Sequence, residues 1–370
     1  MFNQTAKNSF YRHNCSLGVE SSLDFADTFE QEKSNFFILP YAKYSYCAEL
    51  LNKAYSYINT EISTLIFLIP TYNYSSQKLM TFNTEKLIEI DRNLRVNFED
   101  LSLMREKYGI ASEKFEFEYE EIFKIHLDFL KQRYPELKII PIFFNDLKNG
   151  VITEFWKDYY DKFTICLLSN LSCGFGYNDA EILDSYTASL IEKNESANFE
   201  LEQFTAFKII NEILTFAQKQ ETSFIRIGAV NSADFNTNFA STRGFGAWFL
   251  FKGHSAEYLK KYYKDLIFEF VKFNLRKALH FECGECFNLP SVFNQNFKIS
   301  LTMEKNGYVR GVSNSLKTPE PLFLGLTRHA FGMAFSDKRF APLKPDELEE
   351  IKISVTFWNN DMTSSIILES

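Results

Sequence analysis

Six short, almost continuous apolar runs, broken by a charge only at Arg226, constrain this chain more than any other feature of its sequence. They are Phe36 to Leu39, Leu65 to Ile69, Ile139 to Phe144, Ile165 to Leu168, Phe224 to Ile227 and Gly246 to Phe251. Each has the length of a strand, and none alternates with polar residues. A strand with one wet face alternates, whereas a strand covered on both faces does not. Helical patterns lie between the runs. Ala48 to Ile58 is one. Glu118 to Arg133 is another, with Ile122, Ile125, Phe129 and Leu130 on one face. Ala206 to Gln218 is a third, with Phe207, Ile210, Ile213, Leu214 and Ala217 in phase. Strands alternating with helices predict an α/β layered domain around a mostly parallel sheet flanked by helices.

The pattern changes near Lys252-Gly253-His254-Ser255. A long amphipathic helix is expected from Ser255 to His280, with Leu259, Tyr263, Leu266, Ile267, Phe270, Val271 and Leu275 on one stripe. Phe297 to Met303 alternates as a strand, and Asn306-Gly307 between two strand-like runs is a hairpin signal. Pro321 to Phe335 reads as a helix. Ile351, Ile353, Val355 and Phe357 share one face of a further strand. This second half is expected to be α+β. A chain of 370 residues exceeds one ordinary core, so domains over 1–252 and 253–370 are expected.

The net charge is −8, and Lys260, Lys261 and Lys264 form a single solvated helix face. Without a basic stripe, nucleic-acid binding lacks its main driving term. No apolar stretch approaches the ~18 residues of a membrane span, so none is expected. Met1-Phe2-Asn3-Gln4-Thr5 lacks the basic-then-apolar order of a secretory leader. The six cysteines, Cys15, Cys47, Cys166, Cys173, Cys283 and Cys286, therefore read as free thiols in a reducing, cytoplasmic setting.

Few local motifs carry chemistry. Cys283-Gly284-Glu285-Cys286, preceded by His280, suits a redox pair, half of a zinc site, or plain loop thiols, and no second pair completes a zinc site within the chain. Tyr41, Tyr44, Tyr46, Tyr72 and Tyr74 cluster on what read as two loops. They suit either an aromatic binding cleft or the filling of a core. No phosphate-binding glycine loop and no Gly-x-Ser-x-Gly elbow is present.

Two resemblances organise these readings. Leu301 to Gly311, followed by Phe335-Ser336-Asp337-Lys338-Arg339-Phe340-Ala341-Pro342-Leu343-Lys344-Pro345, resembles the AMMECR-type domain over roughly 256–362. Where that family typically carries Arg-Gly-Cys-Ile-Gly, this chain has Arg310-Gly311-Val312-Ser313-Asn314, so the family cysteine position is Val312. Arg310 suits an anion clamp or a domain-internal salt bridge. Gly311 suits a close backbone approach or a positive φ.

The first half resembles the Memo-like family, which shares its fold with metal-dependent extradiol dioxygenases. The resemblance rests on ordered pieces: Asn8-Ser9-Phe10-Tyr11, Pro40 to Cys47, Ile69-Pro70-Thr71-Tyr72-Asn73, His126 to Leu130 ahead of Lys138 to Ile142, and Ser169 to Gly174. The resemblance implies metal ligands at positions that here hold Tyr41, Tyr72 or Asn73, Leu171 and Gly174, with the family cysteine near Leu201. A divalent transition metal wants imidazole, thiolate or carboxylate donors. The expectation is therefore no metal and no cofactor. His126 is the one motif histidine retained, and its apolar neighbours favour a packed, hydrogen-bonded role.

Together the two families, with a radical SAM partner, make up the AmmeMemoRadiSam system, which this chain resembles as a fusion. The leading expectation is a catalytically degenerate, metal-free binding or scaffold protein with an unidentified protein partner. The alternative is an enzyme whose metal-independent chemistry has moved, modifying protein or RNA around Arg310 or the tyrosine cleft. The candidate binding residues are Tyr41, Tyr44, Tyr72, Asn73, His126, Arg310 and Gly311, with Cys283 and Cys286 as a candidate thiol pair.

Overall fold

A computed structural model describes residues 32–71, 78–91, 94–113, 117–145, 147–196, 207–236, 238–280, 287–314, 317–359 and 365–370. They fall into two compact units divided between Lys252 and Gly253. The first unit runs β1 (Phe36–Pro40), α1 (Tyr44–Tyr55), β2 (Thr64–Pro70), β3 (Met80–Phe82), α2 (Thr84–Ile90), α3 (Phe98–Tyr108), β4 (Ala111–Glu113), α4 (Phe117–Arg133) and β5 (Lys138–Phe144). It continues through α5 (Val151–Tyr159), β6 (Thr164–Ser169), β7 (Ser172–Phe175), α6 (Tyr177–Lys193), α7 (Phe207–Lys219), β8 (Thr222–Asn231), α8 (Ala233–Asn236) and β9 (Thr242–Lys252).

These strands form one nine-stranded sheet in the order β4-β3-β5-β2-β6-β1-β9-β7, with β8 also pairing β9. β5, β2, β6 and β1 run parallel, and β9 turns antiparallel to β1 and to β8. The sheet is thus mostly parallel at its centre. The last two apolar runs are antiparallel ribbons that are nonetheless buried on both faces, which is why they do not alternate and why Arg226, the one charge among them, is paired.

Each parallel strand sends alternate residues to opposite faces. Phe36, Ile38, Ile66, Leu68, Ile140, Ile142, Ile165 and Leu167 join Leu101 and Met104 of α3, Phe155 and Trp156 of α5, and Ile210, Ile213 and Leu214 of α7 in one core. Trp156 stacks on Phe36 with ring centres 4.3 Å apart. The other face takes α1 and α4. Cys47, Leu50, Leu51 and Ala54 are buried at helical spacing on α1, and Phe67 of β2 meets both Phe123 and His126 of α4.

A buried ion pair ties helix to sheet in this unit. Arg226 Nε of β8 donates to Glu192 Oε1 of α6 at 2.6 Å, and Trp248 Nε1 of β9 donates to the same oxygen at 3.1 Å. Both side chains of the pair are almost wholly buried. Burial pushes the Glu192 carboxyl up, and Arg226 pulls it back.

The second unit holds α9 (Ser255–His280), β10 (Asn296–Lys305), β11 (Tyr308–Asn314), β12 (Glu320–Pro321), α10 (Leu322–Phe331), β13 (Ile351–Trp358) and β14 (Ser365–Glu369). Its antiparallel sheet has the order β11-β10-β13-β14, with β12 beside the start of β10. The β10–β11 hairpin turns at Asn306 and Gly307, both at positive φ (54° and 78°), as a two-residue turn matched to strand twist requires. β13 buries every second residue. α9 packs on α10, burying Leu259, Ile267, Phe270, Val271 and Leu275.

The helix expected over Pro321 to Phe335 ends earlier, at Phe331, and opens into a π-helical turn, Gly332–Ser336. Two close approaches accompany that widening. A Cβ at Gly311 would lie 2.1 Å from the Met333 carbonyl oxygen, and one at Gly332 would lie 2.2 Å from Ser313 Oγ. Gly311 therefore serves a close approach rather than a positive φ.

Removing one partner of the buried ion pair leaves an uncompensated charge in the core. Arg226→Ala is expected to cost about 3–5 kcal/mol. The double replacement Glu192→Leu with Arg226→Met is expected to recover most of that loss. Urea unfolding of the two variants checks both values.

Candidate functional site

In an open α/β sheet, ligand sites form beyond the carboxyl ends of the parallel strands. Here those ends carry Tyr41 after β1, Thr71 after β2 and Asn170 after β6. All three are buried, with Tyr41 at 4% exposure. The Tyr41 N–H donates to the Ser169 carbonyl at 3.0 Å, and the Thr71 N–H to the Phe144 carbonyl at 2.7 Å. The Leu171 N–H donates to the Gly244 carbonyl at 2.8 Å, with the Leu171 side chain buried beside it. Gly174 sits at φ 85° in a bulge of β7. Tyr72 and Asn73 lie outside the described residues.

This donor set does not fit a divalent transition metal. At the described positions where the family resemblance implies ligands stand a buried phenol, an aliphatic side chain and a glycine, not imidazole, thiolate or carboxylate donors. Among the described residues, no group of three or more His, Cys, Asp or Glu is placed to hold one.

His126 lies on α4 and is fully buried. Its Nε2 is 3.2 Å from the Pro40 carbonyl, which can only accept, so Nε2 carries the proton. Nδ1 then accepts from the Tyr55 hydroxyl at 2.5 Å. Burial holds the imidazole pKa down at about 3, so His126 stays neutral at ordinary pH. Burial likewise lifts the Tyr55 phenol well above its usual range. The two side chains tie α1 and α4 to the end of β1.

Tyr44 and Tyr46 are not loop residues. Both belong to the first turn of α1, because a helix started there places Cys47, Leu50, Leu51 and Ala54 against the sheet. Tyr44 is exposed and stacks against Phe129 of α4, with ring centres 5.7 Å apart and planes 17° apart. Tyr46 packs beside Phe245 and receives a hydrogen bond from Asn236.

Tyr44 stands at the edge of an open groove between α1 and α4, with a volume of about 600 Å³. Tyr55 and Phe129 add aromatic surface to it, and Glu49 and Arg133 add charge. Arg133 donates one N–H to the Asn52 carbonyl at 2.8 Å. The structure thus links Tyr44, through the groove and Tyr55, to His126 and on to the backbone just before Tyr41. A second groove of about 520 Å³ lies between α5 and α7. There the Glu212 carboxylate accepts from the Gly150 and Thr153 N–H groups and closes the α5 N-terminus.

In the second unit, Arg310 takes the salt-bridge role. Its Nε and one terminal nitrogen reach the two Glu347 oxygens at 3.3 and 3.1 Å, and it also contacts the Pro342 carbonyl. Lys305 approaches the same carboxylate. Arg310 foremost pulls the Glu347 pKa down to about 2. Next along β11, the Val312 N–H donates to Asp337 at 3.0 Å, and Asp337 pairs with Arg339. Cys283 and Cys286 lie outside the described residues.

Two arrangements are invisible in the sequence. Asp184 of α6 is fully buried against Gly244, where a Cβ would fall 1.8 Å from a carboxylate oxygen. Burial pushes its carboxyl well above the usual range, which favours the protonated form. The second lies in the other unit, where Ser313 Oγ is 2.9 Å from His329 Nδ1 and His329 Nε2 is 3.4 Å from Glu320 Oε1. These three residues come from β11, α10 and β12, with no spacing that marks them as a set. A helical face around Ala180, Asp184, Ala188 and Ile191 was the one available signal for Asp184.

Comparison with known proteins agrees with the order of the two units. Residues 9–168 match the Memo-like protein family, and residues 272–364 match the AMMECR1 family. The chain therefore carries a Memo-like domain followed by an AMMECR1 domain. A curated relative from Methanothermobacter thermautotrophicus, described only as "Protein", is 38% identical over 69 residues, or 19% of this chain. The chain spans 36% of that relative's length. A solved structure, the uncharacterized protein PH0010 from Pyrococcus horikoshii, aligns at 17% identity and a TM-score of 0.24, covering 26% of this chain and 50% of that one.

Two pH dependences follow from these geometries. Because burial raises the Asp184 carboxyl, the fold loses stability as pH rises above the ordinary carboxylate value of 3.8, where the unfolded chain releases its proton more readily than the folded one. Asp184→Asn is expected to raise the melting temperature at pH 8 more than at pH 4. Glu347 behaves oppositely. Its contribution is present above 4.5 and is lost as pH falls through about 2. Arg310→Met is expected to cost on the order of 2 kcal/mol at pH 7 and progressively less below about pH 4. Thermal melts across pH test both.

Proposed function

We propose that, in a chain carrying a Memo-like domain ahead of an AMMECR1 domain, the Memo-like unit binds a ligand instead of catalysing metal-dependent chemistry. The protein then acts as a metal-free binding or scaffold protein of the cytoplasm. The observation that carries this reading is the identity and burial of Tyr41 and Leu171 at the carboxyl ends of the strands. They stand at ligand positions of the family resemblance and offer no imidazole, thiolate or carboxylate. Tyr41 is read on this view as filling that end of the sheet.

The groove between α1 and α4 is the binding surface in this proposal. Tyr44 and Phe129 offer aromatic faces, and Arg133 keeps donors beyond the one bonded to Asn52. That combination suits a carboxylate next to an aromatic ring, as at a peptide C-terminus ending in phenylalanine or tyrosine. His126 and Tyr55 hold the walls and do not touch the ligand. A protein partner, including a radical SAM protein of the AmmeMemoRadiSam type, would present such a segment. No helix among the described residues is long and apolar enough to cross a membrane.

N-acetyl-phenylalanine titrated into the full chain and followed by NMR is expected to bind weakly at this groove. Tyr44→Ala and Arg133→Ala are each expected to weaken it about 10-fold, the equivalent of roughly 1.4 kcal/mol. Equal affinity in the variants would sink the groove assignment. Incubation with iron, zinc or copper followed by dialysis and elemental analysis addresses the metal. One tightly held equivalent that survives Cys283→Ser with Cys286→Ser would sink the metal-free reading.

A further inference from the structure

The geometry points to a serine-dependent acyl-transfer site in the AMMECR1 unit, formed by Ser313, His329 and Glu320 and acting on short acyl thioesters or activated esters. Ser313 follows Val312, at the half-buried edge strand β11. Its Oγ is 2.9 Å from His329 Nδ1. On the far side of the ring, Nε2 faces Glu320 Oε1 at 3.4 Å. Nε2 makes no hydrogen bond, and in the tautomer that carries the proton there it faces this carboxylate. Nδ1 is then free to accept the Ser313 proton, as a general base beside a nucleophile must.

The surroundings hold this geometry in place. His329 is 2% exposed on the buried face of α10, and Glu320 is fixed by a close ion pair with Arg328. β12 is anchored to β10 through the Asn296–Pro321 and Phe297–Glu320 pairs. Gly332 lies directly against Ser313, so only a side-chain-free residue leaves the hydroxyl room.

The step balances without a cofactor. Ser313 Oγ bonds to the acyl carbonyl carbon while its proton passes to His329 Nδ1. The carbonyl electron pair moves to oxygen and returns as the bond to the leaving thiol or alcohol breaks. The leaving group takes the proton from His329. Water, deprotonated by the same nitrogen, then cleaves the acyl-serine and releases a carboxylic acid. Burial, with Arg328 adding to it, holds the His329 pKa at about 4, which makes a weak base. A weak base suits leaving groups of low basicity and not amides. Ser313 and His329 are the catalytic residues in this scheme, and Glu320 is a positioning residue.

The test treats the full chain with a fluorophosphonate probe and maps the adduct by mass spectrometry, alongside hydrolysis of p-nitrophenyl acetate. One adduct on Ser313 is expected, absent from Ser313→Ala with its fold intact by circular dichroism. His329→Gln is expected to slow labelling roughly 100-fold. Should that variant fail to fold, Glu320→Gln carries the test, with slower labelling and an altered pH profile expected. No adduct on the wild-type chain, an equal adduct on Ser313→Ala, or an unchanged rate in the folded His329 or Glu320 variant would each overturn the assignment.

Discussion

Burial of the central strands on both faces is the constraint from which the rest of the first unit follows. β5, β2, β6 and β1 present almost no polar side chain to either layer, so helices must cover them above and below. Their backbone groups are satisfied laterally by the parallel ladder, and what cannot be satisfied there gathers at the carboxyl ends. The bonds from Tyr41 to Ser169 and from Thr71 to Phe144 extend the ladder by one residue past the strands and tighten that end.

Three ionisable groups buried in this layer are accommodated in different ways. His126 is neutral and doubly bonded, to Tyr55 and to Pro40. Glu192 is met by Arg226 and Trp248. Asp184 packs on the bare Cα of Gly244, and burial shifts it toward the protonated form. Burying an unpaired charge costs more than keeping a proton, so the carboxyl takes the cheaper course. These groups bind layers together, and their work is structural. An open groove lies between α1 and α4, edged by the stacked rings of Tyr44 and Phe129.

The second unit uses a different economy. Its antiparallel sheet has one core face, so polar residues crowd the edges and loops. Arg310, Glu347, Lys305 and Glu350 form one charged cluster there, and Asp337 and Arg339 another. Gly311 and Gly332 let the π-helical turn lie directly on β11. That contact brings α10 close enough for His329 to meet Ser313.

Hydrophobic period determined what the sequence could determine alone. The unbroken runs of β1, β2, β5 and β6, the stripe of α9, the alternation of β13 and the Asn306-Gly307 turn were legible because local burial and local φ demand those residues in that order. The order of Memo-like and AMMECR1 motifs was legible for the same reason, since each motif is contiguous. Tyr44 as a helical residue, the antiparallel turn of β8 and β9, and the early end of α10 were not, because helix starts and strand directions are settled by what packs against them. The pairings of His126 with Tyr55, Asp184 with Gly244, and Ser313 with His329 and Glu320 were decided only by tertiary structure. Their partners are distant in sequence or lie on different elements, and only the folded layers bring such groups within hydrogen-bonding distance.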